Sequence, residues 1–264
     1  MSMTPGKKKV NTVRTTRADP LPMGVSADSA TGGERAPTDK RKVRHVKKRD
    51  AYLAEAMGLV VQDGMEGLTI ARLANRMNAS VGAVYRYFES KEALVVGLQE
   101  MAIADFHGFM VERLARAEAR LSGAAPRARA LARLMIAFGA YIEHAESSPR
   151  PHRLVDTFLS FPEAVLSDEE ARSIGERLLA PILKAFTALL EDAVATGALE
   201  PDNNVQRTYL AWAFVHGLDH FHKRDRISPI ELRVKALLPI ARAGLLRAFG
   251  AAPQVIAEAD RLLA

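Results

Sequence analysis

The chain has no cysteine, no long hydrophobic run and no secretion signal, and each absence excludes a class of protein. Without cysteine among its 264 residues, it has no disulfide framework, no thiolate metal site and no cysteine nucleophile. No stretch of about eighteen uncharged apolar residues occurs, and the N-terminus lacks the apolar segment of a secretion signal. We therefore expect a cytoplasmic protein with no membrane partner.

The short motifs that mark many enzymes are also missing. The sequence contains no Gly-x-Ser-x-Gly nucleophile turn, no glycine-rich phosphate loop and no His-Glu-x-x-His metal motif. We therefore predict that the chain is not an enzyme, with no catalytic residues, no bound metal and no cofactor.

A short segment of the chain has the pattern of two helices joined by a tight turn. Leu73 and Met77 are four residues apart and share one helix face. Asn78 stands where the chain needs a left-handed residue, and Ser80 stands where the next helix needs an N-cap. The pattern favours a DNA-reading helix-turn-helix over an ordinary helical hairpin in which these polar residues serve only as caps.

The segments Gly67-Leu-Thr-Ile-x-x-Leu-Ala74 and Ser80-Val-Gly-Ala-Val-Tyr-Arg-Tyr-Phe-Glu-Ser-Lys-Glu-Ala-Leu94 resemble the DNA-binding domain of the TetR family of transcriptional regulators. Two departures are Asn78 in place of the usual glycine and Ala79 in place of a larger aliphatic residue. The rest of the chain has helical periodicity. We therefore predict an all-α fold, with an N-terminal three-helix helix-turn-helix DNA-binding domain and a larger C-terminal helical domain for ligand binding and dimerisation.

The second helix of this motif is predicted to read double-stranded DNA as an exposed rod over residues 81–88. Its first residues are small, so its backbone can approach the base edges closely, and Arg86 is the candidate for a guanine or a phosphate. The resemblance implies phosphate contacts for Tyr85, Tyr87 and Lys91, although Tyr87 also fits the apolar pattern of a core residue. The predicted DNA-contacting residues are Thr69, Ser80, Val81, Gly82, Ala83, Tyr85, Arg86, Tyr87 and Lys91.

Positive charge is concentrated at the N-terminus. Residues 1–50 hold thirteen Lys or Arg against five Asp or Glu, a net charge of +8, so the remaining chain nets to −2 within the total of +6. A run this basic before a DNA-reading domain favours an arm that binds phosphates or the minor groove. The alternative is a solvated tail that only aids solubility.

Composition and periodicity divide the chain into four parts. Residues 1–46 are predicted to be a disordered basic arm and residues 47–94 the DNA-binding domain. Residues 95–251 are predicted to form the effector-binding and dimerisation domain, and residues 252–264 a short C-terminal helix or tail.

Aromatic residues at helical spacing in the large domain are candidates for a ligand pocket, although such residues more often belong to a core. The sequence Trp212-x-x-x-His216-Gly217 resembles a signature of some TetR-type C-terminal domains. The predicted effector is an uncharged or amphipathic small molecule. The candidate ligand-binding residues are Phe106, Met110, Phe138, Tyr141, Phe158, Trp212 and His216.

The last two long helices are predicted at about residues 203–224 and 230–249. The second has an apolar stripe from Val234 to Phe249. The family resemblance implies that these helices form a homodimer interface, which would pair two DNA-reading heads on a palindromic operator. The alternative is that both stripes face the core of the monomer.

Together these features predict a cytoplasmic, nucleoid-bound transcriptional regulator, a repressor that a small ligand releases from its operator. One alternative is a nucleoid-associated protein that binds DNA without sequence specificity through its basic arm. Another is a metal-sensing repressor, since His216 and His220 lie one helical turn apart with Asp219 between them.

Overall fold

A computed structural model of the chain describes the backbone of residues 37–160 and 168–263, and these residues form helices and turns without a strand. The chain divides into two compact units, residues 1–42 and residues 43–264. The second unit holds the helix-turn-helix segment and the larger helical body. The all-α prediction is confirmed.

The first helix begins earlier than the sequence suggested. Helix α1 spans Pro37–Asp63. Residues 37–46, which were predicted to belong to the disordered arm, are therefore helical. Proline suits the first turn of a helix, and lysine and arginine are good helix formers, so the basic run favours a helix as well as a tail. The helix ends at Gly64, whose φ is +71°.

Three further elements complete the N-terminal head. Helix α2 spans Ile70–Arg76, α3 spans Val81–Tyr85, and α4 spans Lys91–Leu121. Their apolar faces meet the second half of α1, and each large side chain buried there contributes about 1.5–3 kcal/mol. The buried residues of this small core are Tyr52, Leu53, Ala56, Leu73, Ala74, Val84, Phe88, Leu94 and Leu98.

Helix α5, Pro126–Ser147, lies at the centre of the body. It packs against α4, α6 (Pro149–Ser160), α8 (Ala180–Ala195), α9 (Asn204–His220) and α11 (Pro253–Leu263). By length and hydropathy α4 could also cross a membrane, but buried core helices share those properties. In the structure α4 packs along α5 and α6.

The remaining described elements are short or lie at the edge of the body. They are α7 (Asp168–Ile174), a π-helical turn (Gly175–Leu179), two 3₁₀ turns (Phe221–Arg224 and Ile230–Leu232) and α10 (Val234–Ala248). The apolar stripe of α10 joins the core of the same chain at its two ends, where Val234 and Phe249 are buried, while the stripe residues between them are half-buried. The predicted homodimer interface stays a prediction.

Candidate DNA-binding surface and effector cavity

The turn between α2 and α3 depends on one left-handed residue. Asn78 has a φ of +47° and, among the described residues, is the only non-glycine residue with a positive φ. Asparagine tolerates this conformation better than residues with larger or branched side chains. The N–H of Ala79 then donates to the carbonyl of Ala74 at 2.9 Å, which closes the turn. The predicted role of Asn78 is confirmed.

Hydroxyl caps begin all three helices around this turn. Thr69, Ser80 and Ser90 each accept the backbone N–H three residues further on, at 3.2, 3.2 and 3.1 Å. Each cap contributes about 1 kcal/mol, which matters most for α3 because it has only five residues. At the start of α4, hydrogen bonds from its own backbone N–H and from Ser90 hold the pKa of the Glu92 carboxyl below its usual value.

Helix α3 is shorter than the predicted rod over residues 81–88. It ends at Tyr85, because Val84 and Phe88 are buried and turn the chain back into the head. Most of the predicted DNA-contacting side chains nevertheless share the outer surface. Thr69, Ser80, Val81, Gly82, Tyr85, Arg86 and Lys91 are exposed, while Ala83 and Tyr87 are half-buried.

Tyr87 packs inside the head, which agrees with the alternative that it is a core residue. Its ring stacks on His45, with centroids 4.6 Å apart, and lies 5.1 Å from the ring of Tyr52. Since His45 belongs to α1, this stacking places the exposed basic residues Arg44 and Lys48 beside the end of α3. The charge run was visible in the sequence, but its position along α3 depends on a contact between distant residues.

Gly82 has open space where a side chain would project. A Cβ built at this position meets no atom within 4 Å, so nothing inside the described protein requires a glycine there. The small residue therefore leaves room for an approaching surface outside the molecule.

The body contains an apolar cavity that is partly open to its surroundings. About 70 Å³ of its interior can hold the centre of a water molecule, room for several waters by the usual measure of about 10–15 Å³ each. Its walls come from α4, α5, α6, α8, α9 and the π-helical turn. The lining residues are Ile103, Phe106, Met110, Ala137, Phe138, Tyr141, Val155, Leu179, Ile182, Leu183, Phe186, Thr208, Ala211, Trp212 and Val215.

Few polar groups line this cavity. The hydroxyl of Tyr141 lies 2.7 Å from Nδ1 of His216. The hydroxyl of Thr208 lies 2.7 Å from that of Thr187 and also donates to a carbonyl of its own helix. A ligand would therefore meet an apolar slot with a few hydroxyl groups at its edge.

The structure brings most of the predicted ligand-binding residues together. The lining includes Phe106, Met110, Phe138, Tyr141 and Trp212, and His216 stands behind Tyr141. The side chain of Phe158 lies outside the described residues. The aliphatic and small lining residues were missed, because at helical spacing they are indistinguishable from core.

The histidines of α9 are occupied by hydrogen bonds. His216 faces Tyr141, and Nδ1 of His220 lies 3.1 Å from the carbonyl of His216. No group of three or more His, Asp or Glu within the described part of the chain is arranged to hold a metal ion.

Replacing Gly82 tests whether α3 lies against DNA. The variant Gly82→Leu should keep the stability of the wild type, because the added side chain enters open space, and should bind at least about tenfold more weakly to duplexes that the wild type selects from a random library. Gly108→Leu is the matched control, since Gly108 is an equally open helical glycine on α4. Equal DNA affinity of all three proteins would contradict the proposed docking.

Known proteins resemble the head and the body to different degrees. Residues 53–98 match the family model described as bacterial regulatory proteins, tetR family. The nucleoid occlusion factor SlmA of Actinobacillus pleuropneumoniae is 37% identical over 76 residues, 28% of this chain and 38% of that protein. The class C tetracycline repressor protein of Escherichia coli is 38% identical over 60 residues, 23% of this chain and 27% of that protein. The chain thus matches well under half the length of either relative.

The fold extends the likeness to the body. The crystal structure of a TetR-family transcriptional regulator from Agrobacterium tumefaciens superposes with a TM-score of 0.56 at 18% identity, covering 79% of this chain and 100% of the other. The head thus matches the tetR family model, and most of the chain shares the all-helical fold of this TetR-family regulator.

Proposed function

We propose that the chain is a homodimeric repressor that leaves a palindromic operator when a small apolar or amphipathic molecule enters the cavity of its body. The observation that carries the proposal is the path of α4. Its first turns share the core of the head with Val84 of α3, and Ile103, Phe106 and Met110 on the same helix line the cavity. One rigid element therefore touches both the DNA-reading head and the ligand.

Operator reading is supported by the exposed caps and small residues at the start of α3. A helix N-terminus with free N–H groups and no bulky side chains fits phosphates and base edges. Lys91 begins α4 on the same surface, and the exposed residues Arg44 and Lys48 add positive charge beside it. In this arrangement the phosphate contacts give affinity and the start of α3 gives sequence preference.

Dimerisation is supported by an unpartnered apolar surface on the last two long helices. We call it the α9–α10 face and define it by Val205, Tyr209, Leu210, Phe214 and Gly217 on α9 and by Ile240 and Gly244 on α10. Its five large apolar side chains are 44–67% exposed. The two glycines are also exposed and have open space around them, which would let partner helices approach closely.

A charge placed on the α9–α10 face tests the dimer. Leu210→Glu should convert the protein from dimer to monomer in sedimentation experiments, because a symmetric interface would bury the carboxylate twice. Val111→Glu is the matched control, since Val111 is similarly exposed on α4, away from this face. A wild-type protein that sediments as a monomer would sink the proposal.

Release from DNA follows from the position of the cavity wall. A ligand that pushes the middle of α4 would rotate its N-terminal end and carry α3 with it. In a dimer this would change the spacing of the two heads, which must match grooves roughly 34–36 Å apart. The apolar lining with few hydroxyl groups favours an apolar molecule with few hydrogen-bonding groups.

Filling the cavity tests the ligand site. Ala211 lines it and is buried, so Ala211→Leu should occupy the space and weaken binding of an apolar fluorophore, N-phenyl-1-naphthylamine, by at least about tenfold. Ala115→Leu, at an exposed position of α4, should bind like the wild type. Unchanged fluorophore binding by Ala211→Leu would show that the probe sits elsewhere.

A second candidate function is favoured by the likeness of the head to nucleoid occlusion factor SlmA. In that case the chain would coat or organise nucleoid DNA and would not control one promoter. Footprinting separates the two functions. A discrete palindromic footprint supports the repressor, and uniform, salt-sensitive protection supports the architectural function.

A further inference from the structure

Two buried histidines face each other where α4, α5, α6 and α9 meet. His144 on α5 has no exposed surface, and His152 on α6 is 6% exposed. Their Nδ1 atoms are 3.4 Å apart. Each Nε2 atom meets a carboxylate, at 2.9 Å from Asp105 for His144 and at 2.8 Å from Asp219 for His152. We call these two residues the histidine pair.

The number of protons on the histidine pair follows from its contacts. A carboxylate only accepts, so each Nε2 must carry a hydrogen. The contact between the two Nδ1 atoms needs one more hydrogen, on one ring or the other. Two neutral rings supply only two hydrogens, whereas the three contacts need three. All three contacts can be hydrogen bonds together only when the pair carries one additional proton, whose positive charge then lies between two carboxylates.

The surroundings indicate which ring holds the additional proton. Burial lowers the pKa of His144, and Asp105 opposes this effect only in part. The rings of Phe106 and Phe109 pack edge-on against His144, each 5.4 Å away, which keeps water from it. His152 instead lies beside the buried carboxylate of Asp219. With the pKa of His144 lowered, the arrangement that satisfies all three contacts has a bare Nδ1 on His144, which accepts from the N–H of His152.

We propose that the histidine pair is a proton sensor, which holds a single shared proton at neutral pH and is forced apart when a second proton binds. With both rings doubly protonated, two N–H groups would face each other across 3.4 Å with no acceptor between them. Two positive charges would also adjoin in a buried site. The contact that would open is the one between α5 and α6.

The pair is placed to affect the rest of the body. Its neighbours Phe106 and Tyr141 both line the cavity, and the ring of Tyr141 lies 4.9 Å from that of His152. On the other side, Oδ1 of Asp219 lies 3.7 Å from Nε2 of His222. This proposal goes beyond the repressor function and does not depend on a ligand entering the cavity.

Protons can reach the pair from a polar cleft that includes His152 and Asp219 in its lining. Several other ionisable groups surround the pair and must be counted in any titration. They are Tyr141 and Glu146 on α5, Arg153 on α6, His216 and His220 on α9, and His222, Lys223 and Asp225 beyond it.

The direction of the pH dependence follows from the lowered pKa of His144. In the unfolded chain a histidine titrates near about 6.5, so below that pH the unfolded state binds more protons than the folded state. The stability that the neutral ring of His144 contributes is fully present above about pH 6.5 and is lost as the pH falls through the lower pKa of its folded state.

Nitrogen NMR of the full chain, labelled with ¹⁵N-histidine, counts the protons directly. At pH 7.5 we expect three of the four ring nitrogens of the pair to carry hydrogen and Nδ1 of His144 to be bare. The resonances can be assigned with His144→Gln and His152→Gln. Two bare nitrogens at pH 7.5, or added Zn²⁺ displacing the protons, would overturn the proposal, and neither result bears on DNA binding.

Thermal unfolding gives a second, independent readout. Between pH 6 and 5, where both histidines are protonated in the unfolded chain, the Tm of the wild type should fall about 1–2 °C more than that of His152→Gln, in which no second charge opposes protonation of His144. His107→Gln, on α4 outside the pair, should behave like the wild type. Equal falls for the wild type and His152→Gln would count against the sensor.

Discussion

The rest of the structure depends on α4 remaining one continuous helix from Lys91 to Leu121. Its first turns bury Leu94 and Leu98 in the core of the head, where Phe88 and Val84 also anchor α3. Its middle supplies one wall of the cavity. In the proposed mechanism, a displacement of the middle of this helix is carried along its axis to the head.

The features of the head that could be predicted are those fixed by neighbouring residues. Asn78 has its left-handed φ, and Thr69, Ser80 and Ser90 cap their helices, because each cap acts within three residues of itself. The predicted end of α3 was wrong, because that end depends on residues far away in the sequence. Phe88 leaves the surface to join a core made by α1 and α4, and no local signal marks that choice.

The body was less predictable because its helices carry apolar residues on more than one face. The stripe of α10 from Val234 to Phe249 is regular, yet only its two ends are buried in the core of the chain. The exposed apolar face of α9 includes Tyr209 and Leu210, which spacing alone does not distinguish from core. Aromatic residues did predict much of the cavity wall. The contact between His144 and His152 could not be predicted, because it depends on how α5 and α6 pack and no sequence pattern indicated that packing.

The cavity and the histidine pair share walls, and this has a thermodynamic consequence. Phe106 and Tyr141 touch the cavity on one side and the imidazoles on the other. A ligand that displaces either ring changes the contacts that hold the shared proton. Linkage then requires protonation to change the affinity for that ligand by the same factor. A tenfold change corresponds to about 1.4 kcal/mol, comparable to one net hydrogen bond in a protein, so the loss of the contact between His144 and His152 would be sufficient to couple the two sites.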